Sequence, residues 1–282
     1  MDPQLSVVIP AFNKLDYLQQ LLDSLRPQVN GHQVIVINDA STDRQVRSFL
    51  DKQDWLCVIN QSTNKGSSAA RNIGILNATS DRVVFIDSDC IASKDFIQRH
   101  VKFHSKFPHE GVVGNTVAVS QDKSILRFLE YGSSPMFGIS ERGYGSYEKI
   151  SFHFFFTCNA SVPRRSLLKA GLFDERYNGA WDDIELGYRL DQDGLEFRYD
   201  PDMLVSHHHP TTVPQFLQRQ IRVGKGYYRV SKQHPELLGS LQFDNQLEAL
   251  KTGLSANMSK GKSTLEKAEF IIFDFLGRLF MW

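Results

Sequence analysis

The 282-residue chain has only three cysteines, Cys57, Cys90 and Cys158. Their number is odd and their positions scattered, which fits a reducing compartment and gives neither a disulfide framework nor a zinc-ligand spacing. An excess of one charge is also missing. Lys plus Arg and Asp plus Glu both number 32, so the overall balance points to no nucleic-acid partner and no acidic tail. No apolar run reaches the roughly 18 residues that suggest a membrane span. The opening MDPQLSVVIPAF has no basic stretch ahead of a long apolar segment, so it does not read as a secretory signal. Neither a P-loop nor a Gly-x-Gly-x-x-Gly fingerprint occurs. What remains is an ordinary globular composition, 41% hydrophobic and 23% charged, and a soluble protein of the cytoplasm is the expectation.

What is present is an alternation. LSVVIPAF reads as a strand, and DYLQQLLDSLRPQ as a helix with Leu18, Leu21, Leu22 and Leu25 on one face, stopped at Pro27. HQVIVIND is a second strand, STDRQVRSFLDKQ a helix, Trp55 to Asn60 a short strand, SSAARNIGILNAT a helix and RVVFID a strand. Strands that alternate with helices imply parallel pairing in a Rossmann-like α/β sheet flanked by helices. After about residue 115 the regularity weakens. GSSPMFGISERGYGSY, residues 132–147, reads as a long loop, either a lid or a surface excursion. FHFFFTCNASVP reads as a strand followed by a turn, DDIELGYRLDQDG as a helix closed by Gly194, and EFRYDPDMLVSHHHP as containing a strand that ends in histidines. From Thr211 the text is mainly helical.

The candidate site begins where two apolar strands end in acids. IVIND delivers Asp39, and VVFIDSDC delivers Asp87, Ser88 and Asp89. Open α/β sheets bind ligands beyond the carboxyl ends of their strands. Asp43 reads as an ordinary turn former or helix cap. Asp87 and Asp89 do not, because Ser93 is the better cap for the following SKDFIQRHVKFH helix. Two close carboxylates repel each other unless a cation neutralises them, and hard oxygen ligands suit Mg²⁺ or Mn²⁺.

SVVIPAFN, VINDASTD, NKGSSAARNIG, FIDSDC, CNASVPRR and WDDIEL together resemble, in order and approximate spacing, the motifs of glycosyltransferase family 2 over about residues 4–210. Each motif is weak alone; the ordered set is specific. The resemblance implies a GT-A fold with a mixed, mostly parallel sheet, and inverting transfer from a nucleotide-diphospho-sugar. It implies that Pro10, Ala11 and Asp39 line the base and ribose, with Arg71 beside the base. Asp87 and Ser88 then belong to the donor site, and Asp89 ligates the metal. A UDP-sugar is the expected donor, although Asp39 alone does not exclude GDP- or dTDP-sugars. Residues 1–210 then form one domain, with a donor half to about 115 and a catalytic half to 210, and residues 211–282 form a helical extension.

In the catalytic half, Asp182, Asp183 and Glu185 open a helix behind Trp181. Acids favour a first helical turn, but that does not explain the small approach Asn178-Gly179-Ala180. The resemblance places the general base at Asp183, with Trp181, Asp182 and Glu185 as acceptor-side or supporting residues. It also places a metal-ligating histidine in SHHHP: His207, or His209 as the alternate on the same face. Arg164 and Arg165 read either as scaffold and donor pocket or as surface.

Arg219, Arg222, Lys225, Arg229 and Lys232 have no acid among them between Thr211 and Pro235. They read as a solvated face or, preferably, as an attraction to phosphate on the donor or on a lipid-linked acceptor. The closing FIIFDFLGRLFMW is too short to span a bilayer. It would pack on the core, form a homodimer contact, or lie at a membrane interface, which would put the protein at the inner face of the cytoplasmic membrane. The absence of a Gln-x-x-Arg-Trp motif favours a single addition to a glycan or lipid-linked hydroxyl. A nucleotidyltransferase is the rival enzyme class, but VVIPAFNKLDYL lacks its glycine-rich signature. A non-catalytic nucleotide-sugar-binding module is the other rival.

Overall fold

A computed structural model of the chain describes residues 4–119, 139, 143–177, 179–208 and 212–240. By its internal contacts the chain separates into a unit of residues 1–117 and 139–208 and a unit of residues 118–138 and 209–282.

In the first unit, strand β1 (Ser6–Ala11) leads through helix α1 (Leu15–Leu25) to β2 (Gln33–Asn38). Then follow α2 (Arg44–Leu50), β3 (Cys57–Asn60), α3 (Ser67–Asn77) and β4 (Arg82–Ile86). Leu18, Leu21, Leu22 and Leu25 are all buried, as their helical spacing requires. Strands β1, β2, β3 and β4 pair in parallel in the order β3-β2-β1-β4. The interiors of β1, β2 and β4 are fully buried, as expected of strands covered on both faces, whereas the edge strand β3 is partly exposed.

The rest of the sheet brings in antiparallel pairs. β5 (Cys90–Ala92) leads to α4 (Phe96–Lys106), β6 (Gly111–Val119) and β7 (Glu148–Ile150). β8 (Asn159–Pro163), α5 (Arg164–Lys169), α6 (Asp182–Gln192) and β9 (Phe197–His208) follow. β8 pairs antiparallel with β4 and β6, and β9 with β5 and β7. The sheet is mixed as expected, but its antiparallel share is larger than the strand-helix alternation suggested. β5 and β7, three residues each, are too short to show a pattern.

Two local expectations need correction. FHFFFTCNASVP is a 3₁₀ turn at Phe152–Phe154 followed by β8, the reverse of the order expected from its aromatic run. Ser93 does not cap α4. Its hydroxyl donates to Asp95 and its carbonyl accepts from the Phe96 N–H, so the helix begins three residues later. Asp43, in contrast, caps α2 by accepting from the Gln45 N–H at 2.8 Å. Gly194 closes α6 at φ 86°, a conformation that favours glycine.

In the second unit α7 (Val213–Gln233) carries all five basic residues, and α8 (Pro235–Ser240) follows. Arg222, Lys225, Arg229 and Lys232 are exposed. No helix among the described residues is long and apolar enough to cross a membrane. Most of the 132–147 loop, His209 and the closing FIIFDFLGRLFMW lie outside the described residues.

Candidate active site

The carboxyl ends of β1, β2 and β4 lie at one edge of the parallel sheet. Ala11, at the tip of β1, is buried; Pro10 is half-buried beside it. The Ala11 carbonyl accepts from the Asp39 N–H at 2.8 Å. Asp39 is only 3% exposed. Its Oδ1 accepts from Gln61 Nε2 and from the Lys65 N–H, both at 2.8 Å, and its Oδ2 from the Gly66 N–H at 2.7 Å. Asp39 therefore ties the tip of β2 to the entry of α3. Gly66 makes that entry at φ 89°. Asn13 joins the β1 and β2 turns by accepting from the Thr42 and Asp43 N–H groups. Asn13, Lys14 and Ala40 all adopt positive φ there, a cluster of backbone strain of the kind found at ligand sites.

Arg71 is the hub. It is 5% exposed and lies in the first turns of α3. Nη2 donates to Asp87 Oδ1 at 2.7 Å and Nη1 to Asp182 Oδ2 at 3.1 Å. Ser68, three residues earlier on the same helix face, donates to the same Asp182 oxygen at 2.9 Å. Burial pulls the guanidinium pKa down, but the charges of Asp87 and Asp182 outweigh it and hold the group above its usual value. One buried cation thus links the tip of β4 to the start of α6.

At that start Trp181 sits at φ 71°, unusual for a bulky side chain, and precedes the acids. Asp182 is buried. Asp183 is half-buried, and its Oδ1 accepts from the Ile184 N–H at 2.9 Å. Burial, and then the Asp182 charge, push the Asp183 carboxyl up to about 7, against the pull of Arg71. Glu185 has a different place: it is fully buried in a two-point pair with Arg189, at 2.8 and 2.7 Å. Arg189 in turn donates to the carbonyls of Ala170 and Leu172.

On the other side of Asp87, a turn through half-exposed Ser88 brings Asp89 to β5. The three-residue β5 pairs with β9, setting Cys90 opposite His207. His207 Nε2 lies 3.2 Å from Asp89 Oδ1, and Lys14 Nζ 3.0 Å from Asp89 Oδ2. Burial opposes ionisation of Asp89, but His207 and Lys14 outweigh it and hold its pKa well below the usual carboxylate range. Burial likewise lowers His207, and Asp89 more than offsets that, so the imidazole is pushed up to about 10. An oxygen and a nitrogen ligand facing each other across 3.2 Å fit a divalent cation by donor type.

Arg164 and Arg165 divide the two roles expected of them. Arg164 donates to the Ile75 and Leu76 carbonyls at the end of α3, a scaffold contact, and Arg165 meets His109 at the surface. Sequence reasoning missed Lys14, Ser68 and Cys90. Only Cys90 had a signal, its place next to Asp89; the other two reach the site through turns and a helix face.

The model of the family described as glycosyl transferase family 2 matches residues 6–170. A pre-mycofactocin glycosyltransferase of Mycobacterium tuberculosis is 28% identical over 235 residues, covering 82% of this chain and 48% of that protein. A validoxylamine A glucosyltransferase of Streptomyces hygroscopicus is 27% identical over 225 residues, covering 68% of this chain and 52% of that one. This chain spans about half the length of these two relatives. Among solved structures, S. aureus TarS residues 1–349 in complex with UDP-GlcNAc superimposes with a TM-score of 0.60 at 16% identity, covering 79% of this chain and 66% of TarS. The mannosyltransferase PcManGT of Pyrobaculum calidifontis, in complex with GDP-Man and Mn²⁺, gives 0.63 at 17% identity, covering 100% and 86%. At these identities the likeness establishes the fold, which is GT-A.

Proposed function

The chain belongs to glycosyl transferase family 2, and from that premise we propose that it transfers a sugar from a nucleotide-diphospho-sugar to an acceptor hydroxyl with inversion. The observation that carries this reading is the Arg71 bridge, which joins the donor-side acid Asp87 to the acid pair at the start of α6. A single displacement needs those two functions side by side: a place for the leaving diphosphate and a base for the incoming hydroxyl.

Asp183 is the base. Arg71 and Ser68 hold its neighbour Asp182 in place by hydrogen bonds, and the proton of the acceptor hydroxyl goes to the Asp183 carboxylate as the oxygen attacks the anomeric carbon. Pro10, Ala11 and Asp39 shape the nucleoside end, with Asp87 and Ser88 at the ribose and diphosphate. Arg71 acts through Asp87 and Asp182. Asp89 and His207 would hold Mn²⁺ or Mg²⁺, which when bound offsets the charge gathering on the departing diphosphate. Lys14, already on Asp89, adds a second positive charge there. Trp181 shapes the acceptor side, and the basic face of α7 suits a phosphate-bearing, lipid-linked acceptor. A UDP-sugar is the donor we favour.

The reading is tested by incubating the protein with a panel of UDP-, GDP- and dTDP-sugars and following nucleoside-diphosphate release with Mn²⁺, Mg²⁺ or EDTA. Release from one donor, dependent on the divalent ion, is expected. Binding of a nucleotide-sugar with no release in the presence of glycan and lipid-linked acceptors would favour a binding module instead.

A further inference from the structure

The cysteines that are scattered in the sequence converge at Asp89 and His207. Cys90 follows Asp89 directly and faces His207 across the β5–β9 ladder. Residues directly opposite in an antiparallel pair place their side chains on one face, with Cβ atoms about 4.5–5.5 Å apart. One ligand atom each from Asp89, Cys90 and His207 lies within 4.8 Å of the others, and Cys90 and His207 are buried. Cys158, just before β8, completes the surroundings. Its carbonyl lies 3.9 Å from Cys90 Sγ, and its own Sγ lies 3.5 Å from the Thr116 hydroxyl. A hard cation bridging to a diphosphate uses the Asp89 oxygen and has little use for sulfur. The donor chemistry therefore leaves this thiol without a role.

We propose that Asp89, Cys90 and His207 form a thiophilic site that takes Zn²⁺ in competition with the hard cation of the donor. The inference rests on the metal-site part of the functional reading and adds a sulfur ligand to it. Tetrahedral zinc has bonds of about 2.0–2.3 Å, so its ligand atoms stand about 3.5 Å apart. From separations of up to 4.8 Å the three atoms need to close by about 1.3 Å at most, a movement within reach of side-chain torsions. On binding, Cys90 loses its S–H proton and His207 its Nε2 proton to solvent, and the freed sulfur and nitrogen lone pairs form the Zn–S and Zn–N bonds; zinc remains divalent and no electron is transferred. A water or a phosphate oxygen fills the fourth position. Zinc held this way would occupy the Asp89 and His207 atoms that the donor's cation needs.

The test uses the whole chain carrying Cys57→Ser, which removes the exposed thiol, and Co²⁺ as a spectroscopic probe. One equivalent is expected to produce a near-ultraviolet thiolate-to-cobalt charge-transfer band that Zn²⁺ displaces. Adding Cys90→Ala should abolish the band and weaken Zn²⁺ binding at least tenfold, with Mn²⁺ binding changed less than twofold. Cobalt binding without the band, or a band that survives Cys90→Ala and disappears in Cys158→Ala, overturns the proposal. The band in the Cys57→Ser protein requires no substitution in the core, so misfolding of a variant does not protect the idea. Mn²⁺-dependent nucleoside-diphosphate binding is measured on the same sample. Such binding without the band removes the zinc site and keeps the transferase reading; the band without such binding does the reverse.

Discussion

Arg71 shows why the individual residue, and not its motif, carries the argument. The resemblance placed it beside the nucleotide base. In the structure its two terminal nitrogens are engaged by Asp87 and Asp182. Arg71→Leu should leave two carboxylates in a poorly solvated space without a cation, a loss of about 3–5 kcal/mol. Urea denaturation of the variant measures it, and a change below 1 kcal/mol would mean the bridge contributes little. Asp183 gives a pH prediction of definite sign. Its carboxyl lies near 7 in the fold, above the ordinary 3.8. As a base it works only when ionised, so kcat/KM should rise with pH and level off above about 7. Ionising it in the fold is unfavourable, so its contribution to stability declines as pH rises from about 4 through 7. Asp183→Asn should remove that decline in denaturation curves taken across this range.

The next scale is the element, where small contacts set the positions of the site residues. Helix α3 brings Ser68 and Arg71 to Asp182 because Gly74 lets it lie close on β1. A Cβ on Gly74 would fall within the Val8 side chain and 3.0 Å from Ile37 Cδ1. Gly74→Ala gains about 1 kcal/mol of helix propensity and loses about 1–3 kcal/mol by overpacking. The net effect should be destabilising, read as a lower Tm, with a larger donor KM if α3 moves. Helix α4 makes a second prediction. His100 and His104 are buried, one turn apart, and share the Ser161 hydroxyl at 2.8 Å each. Burial lowers both, His104 to about 3. Their stabilisation is complete above 6.5 and is lost as pH falls below it, at about 1.4 kcal/mol per pH unit for each histidine. His104→Gln should give a shallower loss of stability between pH 6 and 4 than the natural chain. The elements also mark how far the sequence could be read. The parallel strands and the leucine face of α1 repeat with a clear period, so they were legible. β5 and β7 are too short for any period, and β8 hides behind an aromatic run. Asp89 and His207 were readable as ligand types, but their meeting depends on β5 pairing with β9, a contact between segments more than a hundred residues apart. Cys90 had only its place next to Asp89 as a signal, and its position opposite His207 depends on the same pairing.

Across the whole molecule, the two halves of the sheet divide the work. The parallel half ends in Pro10, Ala11, Asp39 and Asp87, and the antiparallel half supplies Asp89 through β5 and His207 through β9. If a cation joins Asp89 and His207 to the donor diphosphate, EDTA or Asp89→Ala should weaken nucleoside-diphosphate binding at least tenfold in calorimetry; binding that ignores both would remove the metal from the account. The basic face of α7 belongs to the other unit. The account turns on the pairing of a donor site with the base Asp183. It is tested most directly by following nucleoside-diphosphate release from the activating donor, in the presence of acceptor, for Asp183→Asn beside the natural chain, with donor affinity measured on both. The expected result is unchanged affinity and a rate lower by about 10²–10⁴-fold; equal release by the two proteins would contradict it.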